Sequence, residues 1–202
     1  MGHPVLREKA RLLKKEELKS EEFKRLLADM VDTMREYGGI GLAAPQVHES
    51  ISVALIDYGE ENPRYDDIPS ESGEDEEDGS DEGSSDEGSS EDSRSRNESA
   101  DGAKHTLPLS VLINPKITVL DETLQGFWEG CLSVPELRGL VYRPRKIRVD
   151  FWDLSAEPRS IVAEGFLATV FQHELDHLDG VIYIDRVKTE PGKNVLDRKS
   201  VV

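Results

Sequence analysis

A single cysteine, Cys131, is present among 202 residues. An internal disulfide framework is therefore excluded, and a reducing compartment fits. No apolar run approaches the ~18 residues of a membrane span, so no membrane partner is expected. The start Met1-Gly2-His3-Pro4 shows no signal-peptide pattern, and Leu6 stands where a myristoylation pattern needs Ser or Thr. Basic stripes are missing too. The formal charge of −17 suggests a strongly acidic surface until it is located along the chain. Between Glu60 and Thr106 there are 18 acidic and 4 basic residues, a net of −14, which leaves 24 acidic and 21 basic residues elsewhere, a net of −3. The remainder is nearly neutral, and a nucleic-acid partner is not expected.

The length suits one domain with an appendage. The appendage is the stretch from Glu60 to about Thr106, which is built of Asp, Glu, Ser and Gly with almost no apolar residue. Such a segment cannot bury enough surface to offset its ordering entropy, so disorder is expected there. Loop-closure entropy grows only logarithmically with length, which lets the segment interrupt two neighbouring strands without unmaking their pairing. A solvated spacer is one reading. A regulated tether is the other: Ser72, Ser84 and Ser89 each have an acidic residue three places on, the pattern of acid-directed phosphorylation.

Two stretches read as helices. Ser20 can cap the first, Glu21 and Glu22 suit its positive end, and Phe23, Leu26, Leu27, Met30, Val31 and Met34 recur at helical spacing before Gly38 and Gly39 stop it. It reads as a core element. The second runs from Gly165 to Gly180, with Phe166, Val170, His173 and His177 on one stripe and Leu167, Phe171, Leu175 and Leu178 on another, so it should be buried nearly all round. Strand candidates lie at 51–57, 109–113, 117–120, 139–142, 146–152 and 160–164, with Asn114-Pro115 as punctuation. One helix before most of the strands and one after them indicate an α+β domain rather than alternating βαβ units.

The second helix carries Gln172-His173-Glu174-Leu175-Asp176-His177. Histidines four apart lie on one helical face, where both can bind one metal ion with the glutamate between them acting as general base. A third ligand is needed. Tyr183 occupies the position where one protease family places a further His. Glu190, beside Pro191 and Gly192, is the one later carboxylate at a suitable distance for another. Cys131, in Glu129-Gly130-Cys131-Leu132-Ser133, offers a thiolate suited to zinc or ferrous ion, although a lone cysteine is often just a small buried hydrophobe. The small-residue stretch Gly39-Ile40-Gly41-Leu42-Ala43-Ala44-Pro45-Gln46 lets backbone approach a ligand or another element closely. It lacks the spacing of a dinucleotide or phosphate loop.

Taken along the chain, Gly39 to Gln46, then Glu129 to Ser133, then Gln172 to His177 resemble the three signature motifs of peptide deformylase in their usual order. The resemblance runs from about His3 to Arg186, the acidic insertion excepted, and makes residues 1–202 a single interrupted deformylase domain with its sheets packed around a central metal-binding helix. It implies hydrolysis of the formyl group from N-formylmethionyl peptides, chiefly nascent chains near the ribosome. It also implies one divalent ion, Fe²⁺ first, with Zn²⁺, Ni²⁺ or Co²⁺ able to replace it, held by Cys131, His173 and His177. Such an ion acidifies a water to a pKa of about 7 for attack on a carbonyl carbon. Glu174 would move the proton, and the Gln46 amide and the Leu132 N–H would bind the oxyanion beside Gly41. Ile40 and Gly41 would line the substrate path, with Phe166 and Val170 walling the methionine pocket and Arg138 bordering the groove. Glu129 paired with Arg143 would brace the cysteine loop. The family's Pro-x-Leu-Arg segment comes almost at once, and little follows Arg186 to form a long terminal helix. Cytoplasm or an organelle are both compatible locations, and oligomeric state is unreadable. Two other readings use the same residues: a metallopeptidase, and an interaction protein with a vestigial site whose acidic loop recruits a partner.

Overall fold

The computed structural model describes residues 2–59 and 107–187 and the backbone of 196–198. The acidic insertion, its three serines and Glu190 lie outside the described residues. Two α-helices, α1 (Glu21–Glu36) and α2 (Gly165–Leu178), pack with six strands: β1 (Gly41–Ala43), β2 (Val53–Tyr58), β3 (Leu107–Cys131), β4 (Val134–Trp152), β5 (Pro158–Glu164) and β6 (Leu196–Arg198). The sheet order is β1-β2-β3-β4-β5, every neighbour antiparallel, and β6 pairs with β4 at Leu137–Gly139. The α+β reading therefore holds. No helix among the described residues is long and apolar enough to cross a membrane.

Strand β2 explains how the helices are arranged. Its residues Val53 to Ile56 are all fully buried, because successive side chains point to opposite faces and both faces are covered. Ala54 and Ile56 join Leu112, Ile147, Val149, Phe171 and Leu175 in the core under α2. Val53 and Leu55 join Phe23, Met30, Met34 and Ile113 in the core under α1. That is why the strand reads as a continuous apolar run and not as an alternation.

Helix α1 begins and ends where its sequence indicates. The Ser20 Oγ accepts from the Phe23 N–H at 3.1 Å. At the other end Gly38, at φ +59°, donates its N–H to Arg35 and Gly39 donates to Met34, which satisfies two carbonyls the helix leaves open.

The strands beyond 107 are longer than the sequence implies. The candidates at 109–113 and 117–120 belong to one 25-residue strand, and those at 139–142 and 146–152 to one of 19 residues. Asn114-Pro115 does not break β3. Asn114 adopts φ +50°, its amide bonds both the N–H and the carbonyl of Leu13 at 2.9 Å, and its own N–H reaches Ser52. The backbone groups lost to the ladder at this bulge are thereby satisfied, and the strand continues past a register shift. Strands β3 and β4 form a long hairpin whose closing turn, Leu132-Ser133, immediately follows Cys131.

Candidate metal centre and substrate cavity

Hairpin and helix bring the separated motifs together. The donor atoms of Cys131, His173 and His177 all lie within 4.8 Å of one another, with Cys131 Sγ 3.3 Å from His177 Nε2. Tetrahedral zinc or iron ligands at about 2.1 Å (N) and 2.3 Å (S) stand roughly 3.5 Å apart, so this spacing suits one ion. Tyr183, the alternative third position, points its ring at His173 and its hydroxyl at the Leu137 carbonyl, so it completes no ligand set.

The chemistry of the donor set fits as well. Helix α2 is buried over most of its length, and burial together with the charges of His173 and Arg143 lowers the His177 pKa to about 3, keeping that imidazole neutral. Burial also opposes charge on His173. Its contacts to Cys131 and Glu129 and the charge of Glu174 nevertheless hold it well above the usual histidine value, so in the metal-free protein an ion there must displace a proton. His173 donates Nδ1–H to Glu129 Oε2 at 2.7 Å, which leaves Nε2 for a ligand bond.

Glu129 is buried with Arg143, which binds both its oxygens at 2.6 and 2.9 Å. Burial works against the carboxylate, and the hydrogen bonds from Arg143 and His173 overcome it, leaving the Glu129 pKa below its ordinary value. The same burial opposes charge on Arg143, and its two carboxylates outweigh that and push its pKa up. The pair thus ties β3, two residues before Cys131, to a histidine of α2. Sequence reading placed Glu129 and Arg143 together but missed the extension to Asp176, which accepts from Arg143 at 2.8 Å and from Arg186 at 2.6 and 3.1 Å. Asp176 stands inside the two-histidine motif, and its position one residue before His177 was the available signal.

Glu174 is buried beside the centre. Burial raises its pKa to about 7, and its Oε2 is one of two buried side-chain polar atoms among the described residues without a hydrogen-bond partner; the other is His177 Nδ1. A buried carboxyl with a free oxygen and a near-neutral pKa is suited to taking and returning a proton. Gly41 packs directly against it: a Cβ there would lie 2.5 Å from Glu174 Oε1. Gln46 turns its amide the same way. Its Oε1 accepts from the Ala43 N–H at 2.7 Å, and its Nε2 lies 3.5 Å from Cys131 Sγ. The thiol also faces the Ser133 N–H at 3.4 Å.

A cavity of about 540 Å³ opens onto this group. Ile40, Gly41, Gln46, Leu132, Arg138, Phe166, Val170 and Glu174 all line it, and so do Thr33 of α1 and Tyr37 just after that helix. Phe166, which lines the cavity, is backed by Phe127, whose ring meets it edge-on at 5.3 Å.

Comparison with known proteins agrees with the geometry. A family model described as polypeptide deformylase matches residues 1–191. A peptide deformylase from Leptospira biflexa serovar Patoc is 34% identical over 189 residues, covering 94% of this chain and 86% of that protein. Peptide deformylase 1 from Nitrosomonas europaea is 35% identical over 187 residues, covering 93% and 84%. Among solved structures, the Met-Ala-Ser-bound class I type b peptide deformylase from Acinetobacter baumannii superposes with a TM-score of 0.70 at 30% identity, covering 93% of this chain and 94% of that one. An actinonin complex of a peptide deformylase from Synechococcus elongatus gives 0.65 at 31% identity, covering 93% and 76%.

Proposed function

The chain belongs to the peptide deformylase family, and from that premise we propose how its own residues remove the N-formyl group from newly made polypeptides. It is a metal-dependent hydrolase, releasing formate and a free amino terminus. Cys131, His173 and His177 would hold the ion, with Fe²⁺ the preferred occupant and Zn²⁺, Ni²⁺ or Co²⁺ able to stand in. When bound, the ion supplies Lewis acidity, polarising the formyl oxygen and acidifying a water.

The protein's residues supply the rest. Glu174 takes the proton from the attacking water and returns it to the departing amine, so the C–N bond breaks as formate leaves; this role is worth about 10²–10⁴ in rate. The Gln46 side-chain amide and the Leu132 N–H donate to the developing oxyanion. Each such donor contributes roughly 3–4 kcal/mol where water is excluded. Phe166 and Val170 wall the methionine side chain, Ile40 and Gly41 guide the peptide to the centre, and Arg138 borders the groove. Residues 1–202 act as one domain with the acidic stretch as an insertion, and nascent chains at the ribosome are the intended substrates.

One observation carries this reading: a thiol from the hairpin turn meets the two imidazoles of α2 beside a buried carboxyl oxygen that has no other partner. It is tested by formate release from formyl-Met-Ala-Ser with protein loaded anaerobically with Fe²⁺, and in parallel with Zn²⁺. Turnover with both, faster with Fe²⁺, is expected. No formate with either metal overturns the assignment.

A further inference from the structure

Behind the ligands, α2 is followed by a turn, Tyr183–Asp185, and then Arg186; the first residue of this segment packs on His173 and the last binds Asp176. Tyr183 is 1% exposed. Its ring stacks on the His173 imidazole at 5.9 Å between centroids and 23° between planes, and its hydroxyl donates to the Leu137 carbonyl of β4 at 2.9 Å. Three residues on, Arg186 grips Asp176 with two N–H groups. The Asp176 carboxylate also accepts from Arg143, Arg143 binds Glu129, and Glu129 accepts the His173 Nδ1–H. Two routes from one turn thus converge on one imidazole, one on its face and one on its edge.

We propose that Tyr183 and Arg186 are positioning residues for His173, fixing the plane of its ring and the direction of its Nε2. The proposal rests on reading Cys131, His173 and His177 as metal ligands. A histidine needs such help because its second torsion is broad, so side-chain packing along the helix does not set the ring plane. The Glu129 hydrogen bond fixes one direction within the ring, and the stacked phenol ring restricts rotation about that direction. Among the described residues His177 Nδ1 has no hydrogen-bond partner, and its ring meets that of His173 edge-on at 5.2 Å. His173 is therefore the oriented ligand of the pair.

Charge balance explains why Arg186 is part of the device. Glu129 and Asp176 are two mostly buried carboxylates sharing one buried guanidinium, Arg143. Once His173 serves as a neutral ligand, Arg186 is the second cation of the group, on the Asp176 side. Without it, Asp176 draws Arg143 toward itself, the Arg143 fork on Glu129 loosens, and the hydrogen bond that orients His173 loosens with it. Tyr183 also packs with Val134, Val141 and Ile182 in a small core, so a purely structural role is the alternative to be tested.

Cobalt(II) binding separates the two, because the visible bands of the ion report ligand geometry independently of turnover. Wild type, Tyr183→Leu, Tyr183→Phe, Arg186→Met and Arg186→Lys are titrated with Co²⁺, and affinity, absorption spectrum and melting temperature are recorded. Tyr183→Leu is expected to weaken Co²⁺ binding about tenfold and to shift the d–d bands, in the usual range for groups that orient ligands. Tyr183→Phe, which keeps the ring, retains the wild-type bands. Arg186→Met weakens binding by about threefold to tenfold with a smaller band shift, and Arg186→Lys recovers part of the affinity, having the charge without the fork. Unchanged affinity and bands in both Tyr183→Leu and Arg186→Met overturn the proposal, even where melting temperatures fall. If Tyr183→Leu does not fold, the half-exposed Arg186 decides through its Met variant. If wild type itself takes up no Co²⁺ with a thiolate charge-transfer band, the ligand assignment fails and the positioning proposal falls with it.

Discussion

Helix α1 is finished at both ends by its own neighbours in sequence, whereas α2 is closed locally only at its C-terminus and is held at its start and middle by groups distant in the chain. Ser20 caps α1, and Gly38 and Gly39 close it. Nothing caps α2 with a side chain at Glu164. Its first turn is fixed instead by Gln125 of β3, whose amide donates to the Gly165 carbonyl at 2.6 Å, and its middle by Gln172, which donates to the Pro144 carbonyl of β4 at 3.0 Å. The difference suits their tasks. A core helix needs only to be stable, while a helix carrying ligands must be registered against the hairpin that carries the third one. The sheet therefore sets the placement of α2, and mutations in the two helices should separate into losses of chemistry and losses of stability.

The sharpest way to break this comparison is Glu174→Gln. The substitution keeps the volume of a buried residue and removes its ability to carry a proton. Formate release should fall about 10²–10⁴-fold with metal content unchanged, equivalent to roughly 3–5 kcal/mol in the barrier. Retained turnover would assign proton transfer elsewhere. On the other helix, Met30→Ala should do the reverse. Met30 is fully buried in the core under α1, and its truncation is expected to cost about 2–5 kcal/mol of stability in denaturant titration. Below the melting transition, kcat per folded molecule should stay within a factor of two of wild type. A large fall in kcat would mean that α1 also sets the site.

Gly41→Ala tests the contact between the small-residue strand and α2. The new Cβ would sit 2.5 Å from Glu174 Oε1 and 2.6 Å from its Cγ, so the side chain that handles the proton must move. Misplacement by about 1 Å can cost on the order of 10²-fold in rate, near 3 kcal/mol. Metal stoichiometry should be unaffected, because the metal donors lie on Cys131, His173 and His177. Loss of metal in this variant would show that the strand supports the ligands as well.

How much of this was legible in the sequence follows the same division. The α1 boundaries could be read because capping and periodicity are local. The α2 histidines could be read because their spacing is itself a helical property. Cys131 could not be assigned from spacing, since 41 residues lie between it and His173 and only the resemblance joined the motifs. Asp176, Tyr183 and Arg186 went unassigned for a related reason: their partners are brought near by the path of β4 and the turn after α2, which leaves no periodic trace. The two long strands were cut short because Asn114-Pro115 carries a breaker's chemistry, while the bulge and the Leu13 contacts that neutralise it are tertiary. The acidic stretch is the opposite case, where composition speaks clearly and the described residues do not include it.

Ser20→Ala is the mildest test and the most direct one for the independence of α1. The hydroxyl accepts from the Phe23 N–H and donates to the Glu17 carbonyl at 2.8 Å, so its removal leaves one helix-end N–H to water, while the Glu17 carbonyl keeps its bond from the Ser20 N–H at 3.1 Å. Losing such a cap costs about 1 kcal/mol. In a chain of this size that lowers the melting temperature by about 2–4 °C. The cap lies at the opposite end of α1 from Thr33 and from Tyr37 just after the helix, both of which line the cavity, and the 16-residue helix transmits no strain if its far end is held by the Gly38–Gly39 closure alone. The KM for formyl-Met-Ala-Ser and kcat should then both match wild type while thermal unfolding shifts. A rise in KM at unchanged kcat would instead mean that fraying at Ser20 reaches the rim, and that α1 contributes to substrate binding through its register as well as through its core face.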